Sequence, residues 1–365
     1  DTIFIQGTIY AHEQRDVATC DIPGAFLQAD NPDYVLMRLD GILAELMVTV
    51  VPQLYRKVVT TYAKGKSVLY VQLEKAVYGM MKSALLFYQK LVVDLTSIGY
   101  TINPYDPCVT NKIINGKQMT VTWHVDDLKV SHMDPWEVTK FGNYLAGIYG
   151  KNLMAHRGKV HDYLGMDFDY SEKGKFKVSM IKYLDNVHKE FPEVLTGSAA
   201  TPALEHLFKV QEDGTAKLLN ESEVQVFHHT VAHLLFLSTR ARRDIQLAVA
   251  FLTTRVKAPD LDNWGKLRRC PLYLKGTKYM KLTIMVDRRN SIKWWIDASD
   301  RTHMDMKDHS GYGMPFGKGV VLSYSQKQKI NTKSSTETEL VGMDDALSRV
   351  IWGLYFTEAQ GYTID

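Results

Sequence analysis

The chain has 365 residues, 45% of them hydrophobic and 23% charged, with a net charge of +3. That length allows two or three domains with substantial cores, and the composition is that of a globular chain, which excludes disorder. So small a net charge excludes coating of nucleic acid by bulk charge; binding of that kind would need local clusters of Lys and Arg. Cys20, Cys108 and Cys270 are far apart and form no CxxC pair, which argues against a zinc–thiolate site or disulfide framework and for a reducing compartment. Asp1–Thr2–Ile3–Phe4 has neither the charged region nor the apolar core of a signal peptide. The most apolar windows, 41–52 and 231–237, are too short or interrupted to span a bilayer. A first residue other than Met suggests a piece of something longer.

In chain order, residues 3–19 read as a helix leading into a strand at 16–20, which Pro23–Gly24 ends. Strands are predicted at 34–39 and 68–73. Leu85, Tyr88, Leu91, Val92 and Leu95 recur at helical spacing, with Gly99 just past the end. Asn115–Gly116 is a two-residue hairpin turn into 117–125. The next hairpin carries Asp126 and Asp127 at its tip, between Val121/Trp123/Val125 and Leu128/Val130. A helix is expected over 137–147 and a strand over 161–170. From 181 the texture is helical (181–191, 222–239, 244–256, 262–274), with linker-like stretches at 196–202 and 212–215. Pro271 predicts a helix kinked or cut short. Strands at 282–286, 291–297, 311–316 and 320–325 then form an antiparallel meander running into a helix from Ser335.

Adjacent carboxylates raise each other's pKa unless a cation holds both ionised. A rigid hairpin is a suitable mount for Mg²⁺ ligands, although Asp is also an ordinary turn residue. Asp21, at the end of the first strand, could converge with Asp126 and Asp127 to serve two-metal phosphoryl transfer.

Several motifs stand in the order and spacing of copia-type LTR-retrotransposon polyproteins. They are Asp21–Ile22–Pro23–Gly24–Ala25–Phe26–Leu27, Leu73–Glu74–Lys75–Ala76–Val77–Tyr78–Gly79, Asp106–Pro107–Cys108 and His124–Val125–Asp126–Asp127–Leu128. Further on come Tyr163–Leu164–Gly165, Tyr183–Leu184, Thr201–Pro202, Ala241–Arg242–Arg243–Asp244–Ile245 and Tyr273–Leu274–Lys275–Gly276–Thr277. Trp294–Trp295–Ile296–Asp297–Ala298 and Lys333–Ser334–Ser335–Thr336–Glu337–Thr338–Glu339–Leu340 resemble the ribonuclease H part of such polyproteins. Nearly the whole chain thus resembles a reverse transcriptase followed by the N-terminal part of a ribonuclease H domain.

The resemblance implies an α+β fold: a right-hand polymerase palm of antiparallel sheet plus helices (1–180, fingers largely missing) and a helical thumb and connection (181–285). A partial ribonuclease H-like α/β domain would follow (286–365). It implies an RNA-directed DNA polymerase, with Asp21, Asp126 and Asp127 as catalytic ligands of Mg²⁺ or Mn²⁺. Phe26 would wall off the nucleotide 2′-hydroxyl, unless it is an ordinary core Phe. Tyr78–Gly79 would lie under the templating base, or form a plain helix-entry turn, and Tyr163–Leu164–Gly165 resembles the turn that grips the primer. Asp297 would be the first ribonuclease H carboxylate and metal ligand. For the second, Glu337 and Glu339 compete. Ser334 and Glu337 form a capping box, whereas Glu339 falls one turn before Met343 and two before Ala346, which favours Glu339.

Implied partners are RNA template, DNA primer, RNA–DNA hybrid, dNTP and the neighbouring integrase and gag domains, with no membrane. The implied location is a cytoplasmic virus-like particle with a nuclear phase. Arg240, Arg242, Arg243, Arg255, Lys257, Lys266, Arg268 and Arg269 bias the helical region toward duplex phosphates, or solvate its surface. The twelve histidines are read as showing no HxxxH or CxxC ligand spacing, hence as solvent or core residues.

Departures set expectations too. His124 stands where Tyr is usual beside the primer end, and Lys82–Ser83 where Gln-Ala is frequent. The chain starts close to Asp21 and stops at Asp365, where a further ribonuclease H strand should begin. The expectation is a palm that presents its carboxylates, weak or no polymerase activity, and no ribonuclease H activity. Asp365 is assigned to no site. Two other readings compete: a non-catalytic remnant that binds nucleic acid, and an interaction module whose Asp-Asp is a turn only.

Overall fold

The computed structural model describes residues 1–62, 65–150, 153–211, 215–287 and 291–364. Asp365 and most of the linker-like 212–215 lie outside the described residues.

The first large element is an all-antiparallel six-stranded sheet. Its strands run, side by side, Thr101–Asn103, Asp106–Ile114, Lys117–His124, Asp127–His132, Asp16–Asp21 and Met154–Arg157. Asn115 (φ 51°) and Gly116 (φ 72°) make the predicted hairpin turn, both left-handed as a type I′ turn requires. Along the central strands side chains alternate between two cores. Ala18, Cys20, Val121, Trp123, Leu128 and Val130 meet Phe87, Leu91 and Leu95 of the Ser83–Ser97 helix and Val138, Phe141 and Leu145 of the Pro135–Tyr149 helix. The opposite face is also covered. Val17 and Val109 there join Ile5, Ile9 and Tyr10 of the Thr2–Glu13 helix and Tyr163, Met166 and Phe168 of a second sheet.

That second sheet is ordered Val160–Tyr163, Met166–Asp169, Phe176–Ser179, Leu282–Val286, Gly317–Lys318. Residues 161–170, predicted as one strand, are instead a tight hairpin: Tyr163 pairs with Met166 around Leu164 (φ 53°) and Gly165 (φ 73°). Gly165 adopts that φ freely, and Leu164 is carried into it by the turn.

The helical stretch contains Ile181–Glu190, Glu221–Ser238, Gln246–Thr253 and Leu261–Gly276. The second of these begins in a capping box between Asn220 and Glu223. The last runs through Pro271 to Gly276, so it is not cut short. Next comes a three-stranded antiparallel sheet, Trp295–Ser299, His309–Pro315 and Val320–Lys327. Its first strand starts later than the predicted 291. The Ser335–Ala359 helix lies on this sheet where Gly342 meets Ala298; a Cβ at 342 would come within 3.1 Å of the Ala298 Cβ. Phe4, Phe168, Phe227, Ile284 and Phe356 belong to one continuous apolar core, so the N-terminal, helical and C-terminal parts fold against one another.

A small sheet of Leu36–Asp40, Lys66–Gln72 and Thr60–Tyr62 stands apart. The apolar run near residue 41 forms a helix there, Ile42–Val50, burying only Ala44. No helix among the described residues is long and apolar enough to cross a membrane.

Candidate active site

Three of the sequence-predicted carboxylates meet at one end of the six-stranded sheet. Asp21, the last residue of its strand, is the cross-strand partner of Asp127, the first residue of the neighbouring strand. Directly opposed residues of an antiparallel pair place their Cβ atoms about 4.5–5.5 Å apart on the same face. Asp126 belongs to the two-residue turn before Asp127, and its backbone carbonyl accepts from Ile22 N–H at 3.3 Å. The first turn residue, Val125, sits at φ 58°, a left-handed conformation that costs a β-branched residue about 1–3 kcal/mol. Among the described residues the three carboxylates do not draw their ligand atoms within 4.8 Å of one another; only Glu190, His229 and His233 do.

The surroundings tie the predicted substrate residues to these carboxylates. Tyr78 donates its hydroxyl to Asp126 Oδ2 at 3.4 Å and packs its ring 4.5 Å from that of Phe26. Burial, then the Asp126 carboxylate, pushes the Tyr78 phenol up. Gly79 (φ 97°) makes a turn that a side chain would strain, and among the described residues no atom beyond its chain neighbours lies within 4 Å of where its Cβ would be. Its glycine therefore answers to backbone conformation rather than to close packing. His124 is exposed and pairs with Asp127 from the other neighbouring strand. Tyr163, at the predicted primer-grip turn, donates to the Asp127 carbonyl at 3.2 Å. A cleft of about 500 Å³ opens beside Asp21, Asp127, His156 and Tyr163.

Burial raises the Asp127 carboxyl above its usual range, and Asp126 and Asp21 raise it further, against a lowering by His124 and with a final upward push from Asp162. Asp162 also lines the cleft, a carboxylate that sequence reading missed. It alternates with Tyr163 on the short strand Val160–Tyr163, whose end falls inside the single strand predicted over 161–170. Lys82 and Ser83, the departures from the pattern, are committed elsewhere: Lys82 Nζ to Asp33 at 2.6 Å and Ser83 Oγ to the Val77 carbonyl at 2.5 Å.

In the C-terminal part Asp297 is exposed on its strand, opposite Gly311. Glu337 closes the helix start: its N–H donates to Ser334 Oγ, and its Oε2 accepts from the Lys333 N–H at 2.6 Å. Glu339 is exposed on the first turns of that helix, between buried Thr338 and Gly342. Met343 is exposed and Ala346 buried, so the buried face passes through 338, 342 and 346 rather than through Met343.

Two sequence readings are corrected. Most of the basic residues of the helical region are held by the protein itself. Arg242 is buried on Asp244 and Thr277, Arg243 donates to Ser323 Oγ and the Val321 carbonyl, Lys266 pairs with Asp262 and Arg268 with Glu193. Lys257 is exposed. The histidines do contain an HxxxH spacing, His229 to His233, one turn apart on the Glu221–Ser238 helix. The spacing is legible in the sequence itself, His229–Thr230–Val231–Ala232–His233.

Residues 29–205 match the model of the family "Reverse transcriptase (RNA-dependent DNA polymerase)". That segment contains Tyr78, Gly79, His124, Asp126 and Asp127 and begins after Asp21 and Phe26. The Retrovirus-related Pol polyprotein from transposon TNT 1-94 of Nicotiana tabacum is 25% identical over 81% of this chain and 22% of its own length. That from transposon RE2 of Arabidopsis thaliana is 22% identical over 96% of this chain and 21% of its own. A putative transposon Ty5-1 protein of Saccharomyces cerevisiae is 22% identical over 76% of this chain and 89% of its own. The family match and the transposon Pol polyproteins together support a copia-type retrotransposon reverse transcriptase region in this chain. It spans about a fifth of the length of the tobacco and Arabidopsis polyproteins it matches. Its mixed α+β architecture with several antiparallel sheets agrees with a polymerase-like fold.

Proposed function

We propose that this chain is the RNA-directed DNA polymerase part of its parent polyprotein, extending a DNA primer on an RNA template. In this reading the six-stranded sheet is the palm, residues 181–285 the thumb and connection, and 286–365 a ribonuclease H-like part. The observation that carries it is the pairing of Asp21 with Asp127 beside Asp126, with Tyr78 linking Asp126 to Phe26.

The donor set fits a divalent cation. Asp21 and Asp127 stand at the ends of paired strands with Asp126 in the turn beside them, and burial, then the Asp126 and Asp21 carboxylates, makes Asp127 bind its proton more tightly than usual. Asp21, Asp126 and Asp127 would hold the ions, Mg²⁺ or Mn²⁺, which supply charge stabilisation for the phosphoryl transfer. The chain's own residues do the positioning. The strained Val125 turn fixes where Asp126 points, Tyr78 orients its Oδ2, and Tyr163 holds the Asp127 backbone. Phe26, braced by Tyr78, presents a wall against a ribose 2′-hydroxyl, which would be left crowded and unpaired. His124, one strand over from Asp127, offers an imidazole where the family pattern offers a phenol beside the primer end. Asp297 and Glu339 are the candidate ribonuclease H ligands, since Glu337 is spent on the helix cap.

Among the described residues the three carboxylates do not all bring ligand atoms within 4.8 Å of one another, which favours as second reading a degenerate remnant that holds metal and nucleic acid without turnover. Primer extension on an RNA template with Mg²⁺ or Mn²⁺ separates the two. Incorporation lost in Asp126→Asn supports the polymerase; metal binding lost in that variant, with no incorporation by the parent chain, supports the remnant. RNA template, DNA primer and dNTP are the partners this reading requires, in a particle shared with integrase and gag domains.

A further inference from the structure

A second candidate site lies in the helical region, remote in sequence from the carboxylates. His229 and His233 are four residues apart on the Glu221–Ser238 helix, a spacing that puts both imidazoles on one face. Glu190, the last residue of the Ile181–Glu190 helix, reaches between them. Its Oε2 lies 3.6 Å from His229 Nε2 and 3.5 Å from His233 Nδ1, and the three ligand atoms all fall within 4.8 Å of one another.

Those separations are informative. They exceed the 2.7–3.2 Å of a hydrogen bond to nitrogen. Two ligands at 2.0–2.1 Å from a tetrahedral zinc ion stand about 3.4 Å apart, close to both spacings seen here. Local helix electrostatics do not account for the carboxylate, because the C-terminal end of a helix disfavours negative charge. The two imidazole rings are only 4.2 Å apart, so a cation between them and Glu190 would neutralise the carboxylate and use both ring lone pairs. The three ligands themselves line a cavity of about 360 Å³, together with Val187, Phe191, Val226 and Thr230. Glu190 and His229 are exposed, which leaves room for water at a further coordination position.

We propose that Glu190, His229 and His233 form a three-ligand site for an imidazole-preferring divalent metal, Zn²⁺ foremost, that clamps the Ile181–Glu190 helix to the Glu221–Ser238 helix. Two imidazoles and one carboxylate select zinc, nickel or copper over magnesium, which prefers oxygen donors and its own waters. The site therefore answers to a different metal from the Asp21–Asp126–Asp127 set and stands whether or not that set is catalytic.

The test is calorimetric titration of the full chain with Zn²⁺ at pH 7.5, with excess Mg²⁺ to occupy all-oxygen sites, beside thermal unfolding with and without Zn²⁺. One equivalent of Zn²⁺ is expected to bind and to raise the unfolding temperature. His229→Gln/His233→Gln should weaken that uptake at least about 100-fold, more than loss of an outer-shell partner does. Glu190→Gln should weaken it at least about tenfold, and Glu190→His, which keeps three ligands, should retain it. Because the ligands are at the surface, the unfolding temperatures of these variants without metal serve as the folding control. Equal Zn²⁺ uptake by the parent and the double-histidine variant would overturn the proposal, as would no Zn²⁺ uptake above the Mg²⁺ background.

Discussion

Lys129 is two residues beyond Asp127, on the same face of the same strand, and is wholly buried with no hydrogen-bond partner for its Nζ among the described residues. Its ammonium position is ringed by Phe168 at 4.7 Å, Tyr163 at 5.2 Å and Tyr10 at 5.3 Å, and its charge also acts on His161. Burial lowers its pKa from 10.5 to about 7. At about 1.4 kcal/mol per tenfold in an equilibrium, that cost is about 4 kcal/mol near pH 7. Cation–π attraction, up to about 2 kcal/mol for a desolvated contact, offsets part of it. Lys129→Met keeps the volume and removes the charge, so it should stabilise the protein by about 2 kcal/mol at pH 7. The pH dependence has a fixed sign. Between about pH 7 and pH 10.5 the unfolded lysine binds a proton that the folded one does not, so the parent gains stability as pH rises through that window. Urea unfolding of both proteins at pH 7 and pH 9.5 measures it: the gap between them should narrow at the higher pH. A variant less stable than the parent at pH 7, with no difference in pH dependence, would show instead that the aromatic cage holds an ammonium at a net gain.

Further outcomes follow from the same geometry. Val125→Gly removes a β-branched residue from positive φ and should raise stability by about 1 kcal/mol in urea unfolding, while lowering primer extension because the turn loses its fixed direction. Phe26→Val opens the wall against the 2′-hydroxyl and should raise ribonucleotide relative to deoxyribonucleotide incorporation by about tenfold or more, read as the ratio of kcat/KM values. The raised Asp127 pKa means the folded carboxyl keeps its proton above the usual carboxylate range. Its contribution to stability is full below that range and is lost as pH rises through the folded value. Asp127→Asn should remove that loss, so thermal unfolding in metal-free buffer should show the variant gaining on the parent from pH 4 to pH 7.

What the sequence displayed and what it hid divide on physical grounds. Local signals were legible: the Asn115–Gly116 turn, the Ser334 cap with Glu337, and the helix bounded by Gly99. Lys129 was not, because Leu128–Lys129–Val130 alternates as if one face of the strand met water, whereas helices and a second sheet cover both faces. The Val160–Tyr163 and Met166–Asp169 hairpin was legible only through the resemblance of Tyr163–Leu164–Gly165 to a turn; by residue type Leu164 is a poor turn residue, and Gly165 alone advertises the bend. The pairing of Asp21 with Asp127 joins residues over a hundred positions apart, so the motifs suggested it and the strand register supplied it. Arg242 and Arg243 read as phosphate contacts because sequence carries no sign of which cations the fold turns inward.

The most direct test of the polymerase reading is primer extension on an RNA template in Mg²⁺, comparing the parent chain with Asp21→Asn, Asp126→Asn and Asp127→Asn. Each carboxylate supports charge stabilisation of several kcal/mol, so each change should lower the rate by roughly 10²-fold or more at unchanged fold. Extension by the parent that persists undiminished in all three variants would contradict the assignment of the site.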